Sequence, residues 1–82
     1  MLLNTVEVDK EVQKLHVLIG GNVKKIRNAK KLSQKVLSLE IGQESTTIIS
    51  QAELGKEKHF NVEQLYKISK VLNVDICEFF KK

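Results

Sequence analysis

Apolar side chains recur every three or four residues along the first third of the chain, and this spacing constrains the fold more than any other feature. The recurring positions are Val8, Val12, Leu15, Ile19, Val23 and Ile26. Such a spacing puts these side chains on one face of an α-helix. Gly20 and Gly21 interrupt the pattern. Because two glycines inside a helix cost roughly 2 kcal/mol relative to alanine, the segment is either one helix with a weak point or two helices with a joint there.

Capping residues predict a second and a third helix in the middle of the chain. The second covers about residues 33–42, with Ser33 capping its first amides and Gly42 ending it. The third covers about residues 45–54, with Ser45 as its N-cap. Only a short polar turn separates the two helices.

Two more helices are predicted toward the end of the chain. Asn61 and Gln64 have the spacing of a capping box, which opens a fourth helix at Val62. Asp75 and Glu78 have the same spacing and open a short fifth helix. The buried stripe of the fourth helix is expected to contain Val62, Leu65, Ile68, Val71 and Leu72.

Length and composition fit one small all-α domain. The chain has 82 residues, no Pro and only four Gly, whereas an all-β fold needs many turn residues. We therefore expect an all-α, compact five-helix bundle. Residues 1–8 are predicted to be an N-terminal lead-in or arm, and residues 9–82 to form the single domain.

Composition also argues against several kinds of protein. One Cys cannot form an internal disulfide, which favours a cytoplasmic location. One Cys and two distant His are fewer than the roughly four ligands of a structural zinc site, so we expect no such site. Cys77 is expected to be a small buried side chain without catalytic function. No apolar run approaches the roughly 18–20 residues of a membrane span. No motif for an enzyme or a cofactor is visible, so we expect neither.

The positive charge is concentrated in the middle of the chain. The net charge is +4, and residues 19–60 contain eight Lys or Arg against four Glu. This distribution fits either an ordinary solvated surface or a face that binds a polyanion.

The predicted third helix has an unusual polar face. Its outer residues are small or uncharged hydrogen-bonding side chains: Thr46, Thr47, Ser50 and Gln51. Glu and Lys would serve a plain solvent face better. Two helices joined by a short turn, the second bearing such a face, form a helix-turn-helix, whose second helix fits the major groove of duplex DNA. These four residues are our candidates for reading base edges, and Ser45 is a candidate phosphate donor.

Several short segments, in order and at matching spacing, resemble the Cro/phage-repressor type of helix-turn-helix family. They are Leu32-Ser33-Gln34, then Leu37, Ile41 and Gly42, then the stretch from Ile49 to Gly55. The resemblance covers roughly Leu18 to Phe80 and implies a five-helix DNA-binding domain. The chain departs from the family in a turn that is one residue longer, in Ala52 at a position where a larger apolar residue is usual, and in the absence of Pro after the third helix.

The resemblance implies roles for individual residues. Gln34 would contact a DNA phosphate at the start of the second helix. Lys56 and Lys58 would do so from the loop after the third helix. Arg27 and Glu53 would form a structural ion pair that fixes the third helix against the bundle.

The expected function is sequence-specific binding of double-stranded DNA by a small transcriptional regulator, as a homodimer. The family contains phage repressors, controllers of restriction-modification systems and antitoxins, and the sequence does not choose among them. The dimer surface is either the N-terminal helix or the region of Phe79 and Phe80. The alternative is an antitoxin-like protein-interaction module with weak DNA binding. A protein partner, on either hypothesis, would be polymerase or a toxin.

Overall fold

The computed structural model describes residues 4–82. Within that range the regular secondary structure is entirely helical. Four are α-helices: α1 (Thr5–Ala29), α2 (Gln34–Glu40), α3 (Thr47–Leu54) and α4 (Val62–Leu72). A 3-10 helix, η1 (Ile76–Phe80), follows them. None of these helices is both long and apolar enough to cross a membrane.

The prediction of a fifth α-helix is wrong, because that segment is the 3-10 helix η1. Its five residues leave room for few α-helical hydrogen bonds, and the Glu78 amide donates instead to the Asp75 carbonyl, three residues back, at 2.9 Å. The Asp75 carboxylate accepts from the Cys77 amide at 2.8 Å, so the expected capping box with Glu78 does not form.

Helix α1 is continuous through Gly20 and Gly21, which settles the alternative left open by the sequence. It begins at Thr5, so residues 5–8 form its first turn, and the first three residues of the expected lead-in lie outside the described residues. A Cβ atom at Gly20 would lie 2.2 Å from the carbonyl oxygen of Ala52, whereas one at Gly21 would meet nothing within 4 Å. Gly20 is therefore required where α1 crosses α3.

The core is one apolar cluster to which every helix contributes. Its members are Ile19, Val23, Leu37, Ile41, Ile49, Ala52, Phe60, Leu65, Ile68, Leu72 and Phe79. Val62 was expected in this cluster but lies outside it. It is the first residue of α4, at the end of the helix, and is 77% exposed. Cys77 is also exposed, contrary to expectation. Three residues per turn in a 3-10 helix put Ile76 and Phe79 on the inner side and turn Cys77 away.

The caps around α2 and α3 determine how α3 is presented. Ser33 accepts the Val36 amide at 3.0 Å, and Gly42 adopts a left-handed φ of 85°, as expected. Ser45 is not the N-cap of α3, because the helix begins one residue later and Thr46 takes that position without a side-chain hydrogen bond. The longer turn accounts for the shift. Gly55 ends α3 with a φ of 70°.

Candidate nucleic-acid interface

Helix α3 is anchored through three buried residues and presents the others outward. Ile49, Ala52 and Glu53 are buried. Among the proposed base-reading residues, Thr47 is exposed and Thr46, Ser50 and Gln51 are half-buried. The structure therefore brings these four onto one side of α3, at the surface of the molecule.

A buried ion pair ties α3 to α1. Arg27 Nε donates to Glu53 Oε2 at 2.7 Å, and its Nη2 donates to Oε1 at 3.0 Å. Arg27 Nη1 also donates to the Leu32 carbonyl at 2.8 Å. A bidentate pair between a guanidinium and a carboxylate is directional, so this contact sets the orientation of α3 as well as its distance from α1.

Gln34 joins the same network from the first turn of α2. Its Nε2 donates to Glu53 Oε1 at 2.9 Å. The buried carboxylate of Glu53 therefore contacts side chains from both α1 and α2. This holds the amide of Gln34 in place at the helix N-terminus and leaves its second N–H available for a further acceptor.

Hydrogen bonds within the turn and the first turn of α3 order part of the polar face. Ser45 Oγ lies 3.2 Å from Thr47 Oγ1, and Ser50 Oγ donates to the Thr47 carbonyl at 3.2 Å. Gln51 forms no side-chain hydrogen bond within residues 4–82. Its amide therefore has a donor and an acceptor free for a partner.

Lysines lie at both ends of α3, next to the polar face. Lys35 lines one shallow cleft together with Ser45 and Thr46. Lys56 lines another with Gln51. Lys58 is exposed in the loop that follows α3. Sequence reasoning counted Lys35 only as part of the general basic charge, because its place beside the start of α3 depends on the angle between α2 and α3.

Two histidines that are distant in sequence hold the loop after α3 against α1. The rings of His16 and His59 stack with their centroids 3.9 Å apart. Next to them, Gln13 Nε2 donates to the Gly55 carbonyl at 2.7 Å. Burial, and secondarily the neighbouring His59, lower the pKa of His16. No sequence signal pairs two isolated histidines, so this contact escaped prediction.

The chemistry of this surface is that of binding. No three His, Cys, Asp or Glu side chains come together to hold a metal ion anywhere in the described part of the chain. The outward groups of α3 and its flanks include hydroxyls, the free amide of Gln51 and ammonium groups, with the carboxylates of Glu44 and Glu57 beside them. Such groups suit base edges and phosphates.

Comparisons with known proteins agree with this geometry. The sequence model of a helix-turn-helix family matches residues 23–79. Among solved structures, the restriction-modification controller protein C.AhdI from Aeromonas hydrophila is similar, with a TM-score of 0.72 and 25% sequence identity. That alignment covers 79% of this chain and 96% of the controller protein. A search of curated proteins finds no match.

The family match covers more than half of the chain and includes all of α2, α3 and α4. It agrees with the sequence resemblance and with the surface just described. The chain therefore belongs to the Xre/Cro-type helix-turn-helix family and is a DNA-binding transcriptional regulator, not an enzyme.

Proposed function

We propose that the protein reads a specific operator in duplex DNA by inserting α3 into the major groove. Thr46, Thr47, Ser50 and Gln51 would face the base edges. The observation that carries this proposal is the network of Arg27, Glu53 and Gln34, which fixes an uncharged polar helix face at the surface. A reading helix must keep its register while its side chains meet bases, and this network provides that rigidity.

Phosphate contacts would come from both sides of α3. Gln34 and Ser45 act from the start of α2 and from the turn, and Lys56 and Lys58 act from the loop after α3. Such contacts set the position of the protein on the duplex without reading its sequence. Lys35 joins them in this proposal because it lines the cleft that also contains Ser45.

The protein would act as a homodimer on a two-fold operator. A single reading helix meets only a few base pairs, and two copies about 34 Å apart read two half-sites one helical turn apart. Bound there, in the cytoplasm, the dimer would block a promoter or contact polymerase. The similarity to a restriction-modification controller supports a role in transcription control of this kind.

Selection of bound duplexes from a random pool, at physiological salt, tests this proposal. We expect a two-fold motif with half-sites about one helical turn apart. The selected duplex should bind at least about 1,000-fold more tightly than a scrambled one. Recovery of no motif, with only weak salt-sensitive binding, would contradict base reading and favour a protein-interaction module.

A further inference from the structure

We propose that the N-terminal half of α1 is the dimer surface, and that it pairs antiparallel with the same segment of a second copy. This inference rests on the proposed homodimer and names its contact. It concerns a part of the chain that precedes the family match, which begins at residue 23.

The first turns of α1 extend beyond the bundle, and the side-chain contacts of this half with the loop after α3 begin at Gln13 and His16. The helix has 25 residues, which makes it about 37 Å long, yet its buried residues begin only at Ile19. The molecule is correspondingly elongated, measuring 44 Å by 24 Å by 18 Å. Residues 5–18 therefore offer about four turns of helix with most of their surface open to a partner.

One face of this segment is apolar, with its two middle residues exposed and Val8 and Leu18 half-buried. Val8, Val12, Leu15 and Leu18 follow one another at intervals of four, three and three residues. Val12 and Leu15 are 43% and 42% exposed. Docking onto the end of α3 uses a different side of α1, where Gln13 contacts the Gly55 carbonyl and His16 stacks on His59.

A shallow groove runs along this face and carries both signs of charge. Glu11, Lys14, Leu15 and Leu18 line it, together with Lys82 from the end of the chain. Glu11 and Lys14 are almost one helical turn apart. Two copies of this segment bring opposite charges together only when their helices run antiparallel.

In an antiparallel pair, residues before the two-fold axis meet residues after it, and each contact occurs twice. An axis near residue 13 places Val12 opposite Leu15 and Val8 opposite Leu18 of the second copy. The same axis places Glu11 beside Lys14 of the second copy. A parallel pair would instead place Glu11 beside a second Glu11. Charge complementarity therefore selects a second copy in the antiparallel direction.

Charge reversal tests the pairing directly. Sedimentation equilibrium would measure the dimer dissociation constant of the full chain and of three variants: Glu11→Lys, Lys14→Glu and the double variant. Each single reversal sets like charges against each other at two symmetric contacts, so we expect dimerisation to weaken roughly ten-fold. The double variant restores opposite charges and should return to within about three-fold of the parent.

Circular dichroism and the urea midpoint of each variant serve as controls, because Glu11 and Lys14 also influence each other within one helix. Single variants that dimerise like the parent, or a double variant weaker than either single one, would overturn the proposal.

Two substitutions of exposed apolar residues distinguish this surface from the other candidate dimer surface, the region of Phe79 and Phe80. Leu15→Glu should weaken the dimer by more than about 30-fold, as expected for a central apolar contact. Phe80→Glu, at a 45% exposed position on η1, is the matched control and should leave the dimer unchanged. If Phe80→Glu dissociates the dimer and Leu15→Glu does not, the dimer surface is η1; the inference then fails while the proposed homodimer stands.

DNA binding by the same variants distinguishes failure of this dimer surface from failure of the proposed homodimer. The Leu15→Glu monomer should retain binding to a single half-site and lose only the gain from the second half-site. A parent chain that stays monomeric at all concentrations, with and without the operator, would overturn the homodimer and this surface together.

Discussion

At the scale of single residues, Glu53 has the largest structural effect that we expect from one side chain. Its buried carboxylate accepts hydrogen bonds from Arg27 and Gln34, which belong to different helices. Glu53→Ala would leave the buried guanidinium of Arg27 without its counter-ion. We expect a loss of about 3–5 kcal/mol in the free energy of unfolding, measured by urea denaturation.

The exposed pair of Glu63 and Lys67, at 3.9 Å on α4, provides the control for that measurement. Glu63→Ala removes a solvated contact and should cost no more than about 0.5 kcal/mol. If the two variants lose similar amounts of stability, the buried pair does not anchor α3.

Gln51 and Lys56 differ in the kind of DNA contact that we expect, although they line the same cleft. Gln51→Ala should cost about 1–3 kcal/mol on the selected operator and relax preference at one base position. Lys56→Ala should weaken binding to all duplexes alike and reduce the salt slope by about 1. Titrations of both variants with operator and scrambled duplexes at several salt concentrations check this. Equal losses on both duplexes for Gln51→Ala would contradict its assignment to bases.

Several helix caps were predictable from local sequence, whereas contacts between distant residues were predictable only where the family resemblance implied them, as for Arg27 and Glu53. Ser33, Gly42, Asn61 and Asn73 cap or end helices as their types suggest, because a cap involves only neighbours within a few residues. The stack of His16 on His59 joins residues far apart in the chain. Only the packing of the loop against α1 creates it.

At the scale of elements, Gly20 and Gly21 show the same distinction. From sequence, both glycines simply weaken a helix. In the structure, the crossing of α1 and α3 leaves no room for a side chain at Gly20, whereas Gly21 faces open space. The crossing angle of two helices does not follow from the spacing of apolar residues in either helix, so sequence reasoning left the break in α1 open.

Substitution of these two glycines therefore has opposite expected outcomes. Gly20→Ala would force its Cβ into the Ala52 carbonyl, and we expect a loss of at least about 2 kcal/mol of stability as the helices separate. Gly21→Ala has open space and should gain up to about 1 kcal/mol from helix propensity. Thermal and urea unfolding of both variants give the comparison. A Gly20→Ala protein as stable as the parent would contradict the close crossing.

The polar face of α3 was predictable as a set, while the start of the helix was not. Thr, Ser and Gln at outward positions follow from helical spacing and from the buried positions of Ile49 and Ala52. The N-cap of α3 is Thr46 and not Ser45, so the helix begins at Thr47.

At the scale of the whole molecule, pH should affect stability through the contact between α1 and the loop after α3. The pKa of His16 is lowered from 6.5. The unfolded chain therefore binds protons more readily than the folded protein, and stability falls as pH drops below about 6.5. Above that pH the imidazole is neutral in both states and the contribution is flat.

Urea unfolding at pH 7.5 and pH 5.5 measures this effect. His16→Phe keeps a ring for the stack and should remove the contribution of this site to the difference between the two pH values. His59→Gln should reduce it in part, because burial of His16 remains. The pKa of Asp75 is also lowered, mainly by its hydrogen bonds from Cys77. Its contribution to stability is lost only at a pH well below 5.5, so it does not affect the difference between pH 5.5 and pH 7.5. An undiminished pH difference in His16→Phe would exclude His16 as its source.

The buried side of α3 has a consequence for how such a regulator can change over time. Ile49, Ala52 and Glu53 hold the helix in place, and none of them belongs to the set that we propose to read bases. Mutations in Thr47, Ser50 or Gln51 should therefore cost less free energy of unfolding than mutations in these three buried residues. A duplicated copy of the gene could acquire a new operator through a few such changes, while the scaffold and its caps stay as they are.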